Sequence, residues 1–267
     1  MLTQTLLEDF YDHLNKVPGR NGKLRAPITC VKHIERVQDA WRWAFDHDDY
    51  GPFVPKPKSI ELPTISSKRV VSPTWAEMDA CIDASRGWYR RLLLVQRYTG
   101  LRVNQVMRLL WSDIDVENAV LNFRGELGKT KCEKRGRIIP ISRHLADELA
   151  TWGTRDGWLI KSGRKQEGPR ARLARAREVN RYWKKAGVRP EVWSGRPDHS
   201  FRKGVVTEMK RGGADAEAAE YLVGHSLEPS RDPYLDADAL PLRHAVAVIP
   251  PFGEHRKVAK LTVTRAA

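Results

Sequence analysis

The 267-residue chain is poor in cysteine: Cys30, Cys81 and Cys132 stand about fifty residues apart, with no Cys-x-x-Cys pair and no zinc-ligand spacing. That excludes a disulfide scaffold and fits a reducing compartment. No apolar run approaches the roughly 20 residues of a membrane span, and the mean hydropathy is −0.54. The start lacks a basic, then apolar, leader pattern, because Glu8 and Asp9 interrupt it. Nucleotide-binding loops of the form Gly-x-x-x-x-Gly-Lys-Ser/Thr or Gly-x-Gly-x-x-Gly are absent, as are His-Glu-x-x-His and Gly-x-Ser-x-Gly. ATP use, zinc hydrolysis and esterase chemistry lose support, no magnesium-binding carboxylate cluster stands out, and no metal or cofactor is expected.

Carboxylates are also scarce beside the cations. There are 47 Lys and Arg against 33 Asp and Glu, a net charge of +14. Residues 161 to 190 carry eleven Lys or Arg against Glu167 and Glu178, a local excess of nine. An exposed helix of that composition repels itself unless an anion lies near. An excess of this size most often serves a polyanion, because neutralised phosphates release counterions. Nucleic acid is therefore the expected partner, ahead of an acidic membrane surface, with Arg172, Arg175, Arg181 and Lys184 as contacts and Tyr182 and Trp183 available for stacking or sugar contacts.

Helical spacing of Leu6, Leu7, Phe10, Tyr11 and Leu14, and of Val31, Ile34, Val37, Trp41 and Phe45, predicts two amphipathic helices. Around them sit Lys16, Lys23, Arg25, Lys32, Arg36 and Arg42, either a solvated face or a phosphate-tracking one. The proline-rich stretch Gly51 to Thr74 reads as a linker, and Ser72-Pro73-Thr74 as a helix start. A long segment ends at Thr99-Gly100, followed by a short helix over Val103 to Leu110. Residues 119–123 and 137–141 read as strands of a hairpin, joined by a lysine-rich turn. Helices are expected near 143–152, 170–187, 200–211 and 214–223. The fold class is mainly α with a small β-sheet (α+β). The division is residues 1–66, a small helical region with its linker, and residues 67–267.

Arg102 follows the Gly100 stop at the start of a helix, whose N–H groups favour an anion. His199 and Arg202, three apart, share one helical turn. His225 follows a Gly stop, and Tyr234 comes nine residues later. Each fragment alone has a bland reading as surface arginine, helix cap or half-buried aromatic.

Taken together, Thr99-Gly100-Leu101-Arg102-Val103-Asn104-Gln105, Asp198-His199-Ser200-Phe201-Arg202, Leu222-Val223-Gly224-His225-Ser226 and Tyr234 resemble the tyrosine recombinase, or phage integrase, family over about residues 70 to 240. The resemblance implies a tyrosine recombinase catalytic fold behind a small helical DNA-binding domain. It implies that Arg102 and Arg202 hold the oxygens of a scissile DNA phosphate, that His199 and His225 are hydrogen-bond or proton partners, and that Tyr234 is the nucleophile. It places a general-acid lysine on the hairpin turn, where Lys129, Lys131 and Lys134 compete; alignment on the Ile138 edge favours Lys131, leaving Lys129, Lys134 and also Lys203 as DNA contacts. It further implies strand exchange on double-stranded DNA through a 3′-phosphotyrosine, a homotetramer on two DNA sites, accessory DNA-bending or directionality proteins, and a cytoplasmic, nucleoid-associated location without membrane contact. The tail over Leu240 to Val248 would dock on a neighbouring subunit or pack on its own domain. Gln105 departs from the family, which has an acid there, Lys203 stands where a histidine is common, and only two helices precede the linker. Two other readings use the same residues: a topoisomerase IB-like nicking and closing enzyme, and a catalytically silent DNA-binding regulator.

Overall fold

The structure, a computed structural model, describes residues 2–19, 22–65, 71–127, 136–153, 155–161, 172–193, 197–225 and 240–254, without the side chains of 172–176 and 198. The chain divides into two compact units, Met1–Arg69 and Val70–Ala267.

In unit 1, α1 (Gln4–Lys16) starts where Thr3 Oγ1 accepts the Leu6 N–H, and α2 (Pro27–Asp46) starts on a proline, whose missing N–H costs nothing there. The expected apolar stripes meet: Leu7, Leu14, Cys30, Ile34 and Trp41 are buried together. The proline-rich stretch is not all linker. Trp41 Nε1 donates to the Pro55 carbonyl at 2.8 Å and Ile60 is buried in the same core, so scattered apolar residues among the prolines seat its first half on the helices. Arg42 pairs with Asp39 and Lys16 with Asp12 inside their own helices, while Lys32 and Arg36 are exposed.

Unit 2 opens on α3 (Trp75–Ala84), capped by a reciprocal Thr74–Glu77 box. The long segment expected to reach Gly100 is broken at Ser85, whose hydroxyl and N–H both bond to the Ile82 carbonyl, and resumes as α4 (Gly87–Thr99). The following α5 (Val103–Val106) is a single turn, shorter than expected. Three antiparallel strands in the order β1 (Ile114–Asp115), β2 (Val120–Phe123), β3 (Arg137–Pro140) make the sheet. The hairpin pairing is as read, with Leu121 opposite Ile139 and Asn122 opposite Ile138; β1 is an added edge.

Next come α6 (Arg143–Ala150), α7 (Arg172–Lys185), α8 (Pro190–Trp193), α9 (Pro197–Arg211), α10 (Ala216–Val223) and α11 (Leu242–Ala247). Helix α9 packs against α4, α7 and α10 at the centre. A buried Asp79–Arg97 pair joins α3 to α4, with Arg97 Nη1 donating to the Pro250 carbonyl and the Gly253 N–H donating to Asp79. With Ala245, Val246 and Ile249 buried in the same core, the stretch Leu240 to Val248 packs on its own unit.

Candidate active site

Arg202, on the central α9, is 1% exposed. Its Nη1 donates to the Gly100 carbonyl at 3.1 Å and to the Val223 carbonyl, and its Nε donates to His225 Nε2 at 3.1 Å. Those two carbonyls sit where helices end in left-handed glycines, Gly100 (φ 61°) after α4 and Gly224 (φ 75°) after α10. The last carbonyls of a helix lack partners within it and carry the negative end of its dipole, so a guanidinium is a fitting clasp. The two turns also touch: a Cβ at residue 100 would stand 2.4 Å from Val223 Cγ1. Glycine here serves both the positive φ and the close approach. Arg102 and His225 lie just past these turns, and their charges interact across the gap.

Arg102 is half-buried at the N-cap of α5. The helix start is less open than expected: α5 has only four residues, and the Arg102 N–H donates to Gln105 Oε1 at 2.9 Å. Gln105 is buried, and its Nε2 donates to the Leu127 carbonyl at 3.5 Å. An acid at this position could accept the first bond but not donate the second. On the far side of the lysine-rich turn, Arg137 lies over the Tyr221 and Phe123 rings and donates to the Leu222 carbonyl at 3.5 Å. Both flanks of residues 128–135 are thus tied to the motifs that carry Arg102 and His225.

His199 lies half-buried on α9, one turn before Arg202. Lys129, Lys131, Lys134 and Tyr234 lie outside the described residues. So do the side chains of Arg172 and Arg175, whose backbone lies in α7. Arg181 and Lys184 are exposed on α7, and Lys203 is half-buried on α9. Tyr182 and Trp183 do not serve stacking: Trp183 is 0% exposed with its Nε1 donating to the Pro197 carbonyl, and Tyr182 packs against Tyr89. With Val179 they form the buried stripe of α7, while Arg177, Arg181, Lys184 and Lys185 are exposed.

Two participants escaped the sequence reading. Glu220 contacts His225 Nδ1 through one carboxylate oxygen and accepts from Lys210 Nζ at 2.5 Å through the other. Burial, then Arg202 and more weakly Arg102, hold the His225 imidazole below its usual range, against the upward pull of Glu220. Burial pushes the Glu220 carboxyl up, but Lys210 and His225 together bring it below the ordinary carboxylate range. The available signal was an acid five residues before a histidine across a glycine stop. Among the described residues, no group of three or more His, Cys, Asp or Glu is placed to hold a metal ion, and no helix is long and apolar enough to cross a membrane.

The model of the phage integrase family matches residues 74–239, well over half of the chain. The chain belongs to the phage integrase family. It is a tyrosine-type recombinase, an enzyme of site-specific recombination. The protein named tyrosine recombinase XerA of Thermococcus kodakarensis is 27% identical over 222 residues, covering 81% of this integrase and 71% of that relative. The XerA of Pyrococcus furiosus is 24% identical over 229 residues, covering 84% and 76%. In fold, this integrase resembles the integrase from mycobacterium phage Brujita, with a TM-score of 0.53 at 16% identity over 92% of this chain and 78% of that one. A lambda integrase dimer bound to a COC′ core site gives 0.52 at 19% identity over 85% and 78%. All six residues assigned by resemblance to catalysis fall inside the integrase span.

Proposed function

We propose that this integrase cuts and rejoins duplex DNA at specific sites through a covalent 3′-phosphotyrosine, with Arg102, Lys131, His199, Arg202, His225 and Tyr234 as its catalytic residues. One observation carries the reading: the Arg202 clasp on two glycine turns gathers Arg102 and His225, from motifs over a hundred residues apart, around one α9 surface. Guanidiniums suit a phosphoryl centre whose charge spreads over its equatorial oxygens, and donors aimed at such charge are each worth about 3 kcal/mol in a dry site. Lysine would match that geometry less well.

In the proposed step the Tyr234 oxygen forms a bond to phosphorus and the bond from phosphorus to the 5′ oxygen breaks. The phenol proton passes to a histidine or solvent, and Lys131 protonates the departing oxygen. A phenol with a pKa of about 10 is a poor nucleophile at neutral pH, so the cationic surroundings assist it. Nine residues of extended chain span at most about 31 Å, so the tether from His225 permits Tyr234 to approach the arginines. The ties of Gln105 to Leu127 and of Arg137 to Leu222 favour the same for the lysine-rich turn. The phosphotyrosine stores the energy of the broken bond, and religation needs no ATP. Lys129, Lys134, Arg172, Arg175, Arg181, Lys184 and Lys203 would contact backbone phosphates, residues 1–66 would clamp the duplex, and four copies would hold two sites, with accessory DNA-bending or directionality proteins as further partners.

The test is a suicide DNA substrate that traps the covalent adduct. An adduct in the wild type, retained in EDTA and lost in Tyr234→Phe, is the expected result; a wild type without adduct on any cognate site favours a silent regulator. Relaxation of supercoils by isolated monomer would favour the nicking and closing reading. Binding should weaken with salt at a log-log slope of about −0.9 per phosphate contacted.

A further inference from the structure

We propose that Glu220, held by Lys210, is a positioning residue that joins Arg202 in fixing the tautomer of His225 and supports its protonation when a phosphate enters the site. The catalytic consequence rests on the reading above, whereas the couple itself stands on geometry. Because Arg202 Nε donates to His225 Nε2, that nitrogen presents a lone pair, and the proton of the neutral ring sits on Nδ1, which faces the Glu220 carboxylate. Lys210 Nζ holds the other carboxylate oxygen at 2.5 Å. Lys210 lies eight residues beyond Arg202 on α9, roughly 12 Å along the axis. One helix therefore sets a cation at each end of a Glu–His couple carried by its neighbour.

The couple depends on the chain reversal at Gly224. In a continuing helix, residues five apart point about 140° away from each other and do not meet. Here the left-handed Gly224 turns the backbone so that the His225 N–H donates to the Glu220 carbonyl at 3.0 Å, and the two side chains come together.

The charged groups around the ring come from each packed element: Glu220 from α10, Arg202 and, through Glu220, Lys210 from α9, and Arg102 from the turn after α4. Arg137 on β3 reaches the same end of α10, at Tyr221 and Leu222. Burial and both arginines favour the neutral ring, and Glu220 opposes them. An entering phosphodiester adds negative charge and engages the guanidiniums. The ring then takes a proton from solvent at Nε2 and donates it as a hydrogen bond to a phosphate oxygen, while Glu220 keeps the Nδ1–H in both states. A neutral residue at 220 could hold the tautomer but could not offset the arginines.

The experiment is NMR of the full chain labelled with ¹⁵N-histidine, following the imidazole nitrogens from pH 5 to 8, with the His225 signal identified by its loss in His225→Asn. The wild type should show the Nδ1–H tautomer. Because Arg202 Nε still donates to Nε2, Glu220→Ala should keep Nδ1–H as the main tautomer with a larger Nε2–H share, and Glu220→Gln, an acceptor without charge, should match the wild type. Both variants should lower the proton affinity of His225 by about tenfold, one pH unit in its titration. In the adduct assay at pH 7, both should cleave about tenfold more slowly and recover as pH falls. Glu220→Gln preserves shape, so its titration reads the charge even where Glu220→Ala fails to fold. An unchanged His225 titration in Glu220→Gln overturns the proposal whatever the cleavage result. A wild type that forms no adduct but shows the expected titrations counts against the recombination chemistry and leaves the Glu220–His225 couple standing.

Discussion

Among the described residues, the core of unit 1 is six residues, Leu7, Leu14, Cys30, Ile34, Trp41 and Ile60, whereas in unit 2 one contiguous core runs from Trp75 to Ile249. Eight of the nine exposed large apolar side chains among the described residues belong to the smaller unit, including Trp43, Tyr50 and Phe53. The larger unit covers its apolar groups so fully that it also buries Asp79, Arg97, Gln105 and Arg202. A short chain cannot enclose much surface, so its helices remain near the margin of stability and present apolar area. A large core can enclose charges and use them as fasteners.

The strongest way to break that contrast is Asp79→Asn, which leaves Arg97 buried beside a neutral partner. It should destabilise unit 2 by about 3–5 kcal/mol while unit 1 keeps its amide protection, measured by native-state hydrogen exchange with mass spectrometry. Ile34→Ala should do the reverse, costing about 3 kcal/mol and opening unit 1 selectively. Gly100→Ala combines a positive φ with a Cβ that would stand 2.4 Å from Val223 Cγ1. About 2–3 kcal/mol of unit 2 stability and most of the cleavage activity should be lost, the latter because Arg102 shifts with the turn.

A smaller effect follows from pH. His225 is held below its usual range when folded, so on acidification the unfolded chain takes up that proton first. Its contribution to unit 2 stability is present above about pH 6.5 and is lost as pH falls through the folded value. Glu220, also lowered, acts in the same direction further into acid. Exchange in α9 and α10 peptides should therefore quicken from pH 7 to pH 5, after correction for intrinsic rates; a flat response would remove this account. Least of all, Phe53→Ser, at a side chain 80% exposed, should change stability by no more than about 0.5 kcal/mol in urea melts.

Much of this was legible in the residues themselves. Helices α1 and α2 follow from apolar spacing, the α3 start from Ser72-Pro73-Thr74, and the β2–β3 hairpin from two short apolar runs around a lysine-rich stretch. The two-residue β1 is too short for any period to show, and the Ser85 break depends on a local side-chain bond that competes with helix continuation. The burial of Trp183 was obscured by the arginines around it, since a stripe three residues wide carries little weight in a strongly cationic window. Arg102, His199, Arg202 and His225 were legible because family motifs mark them. Glu220 and Lys210 were not, because their meeting with His225 depends on a backward turn at Gly224 and on the packing of α9 beside α10.

The Arg202 clasp has a consequence for the life of the enzyme. Its two gripped carbonyls belong to separate chain reversals, so loosening either one would part the Arg102 and His225 motifs. The two motifs are thereby wired as one cooperative unit, in which neither glycine turn keeps its place without the other.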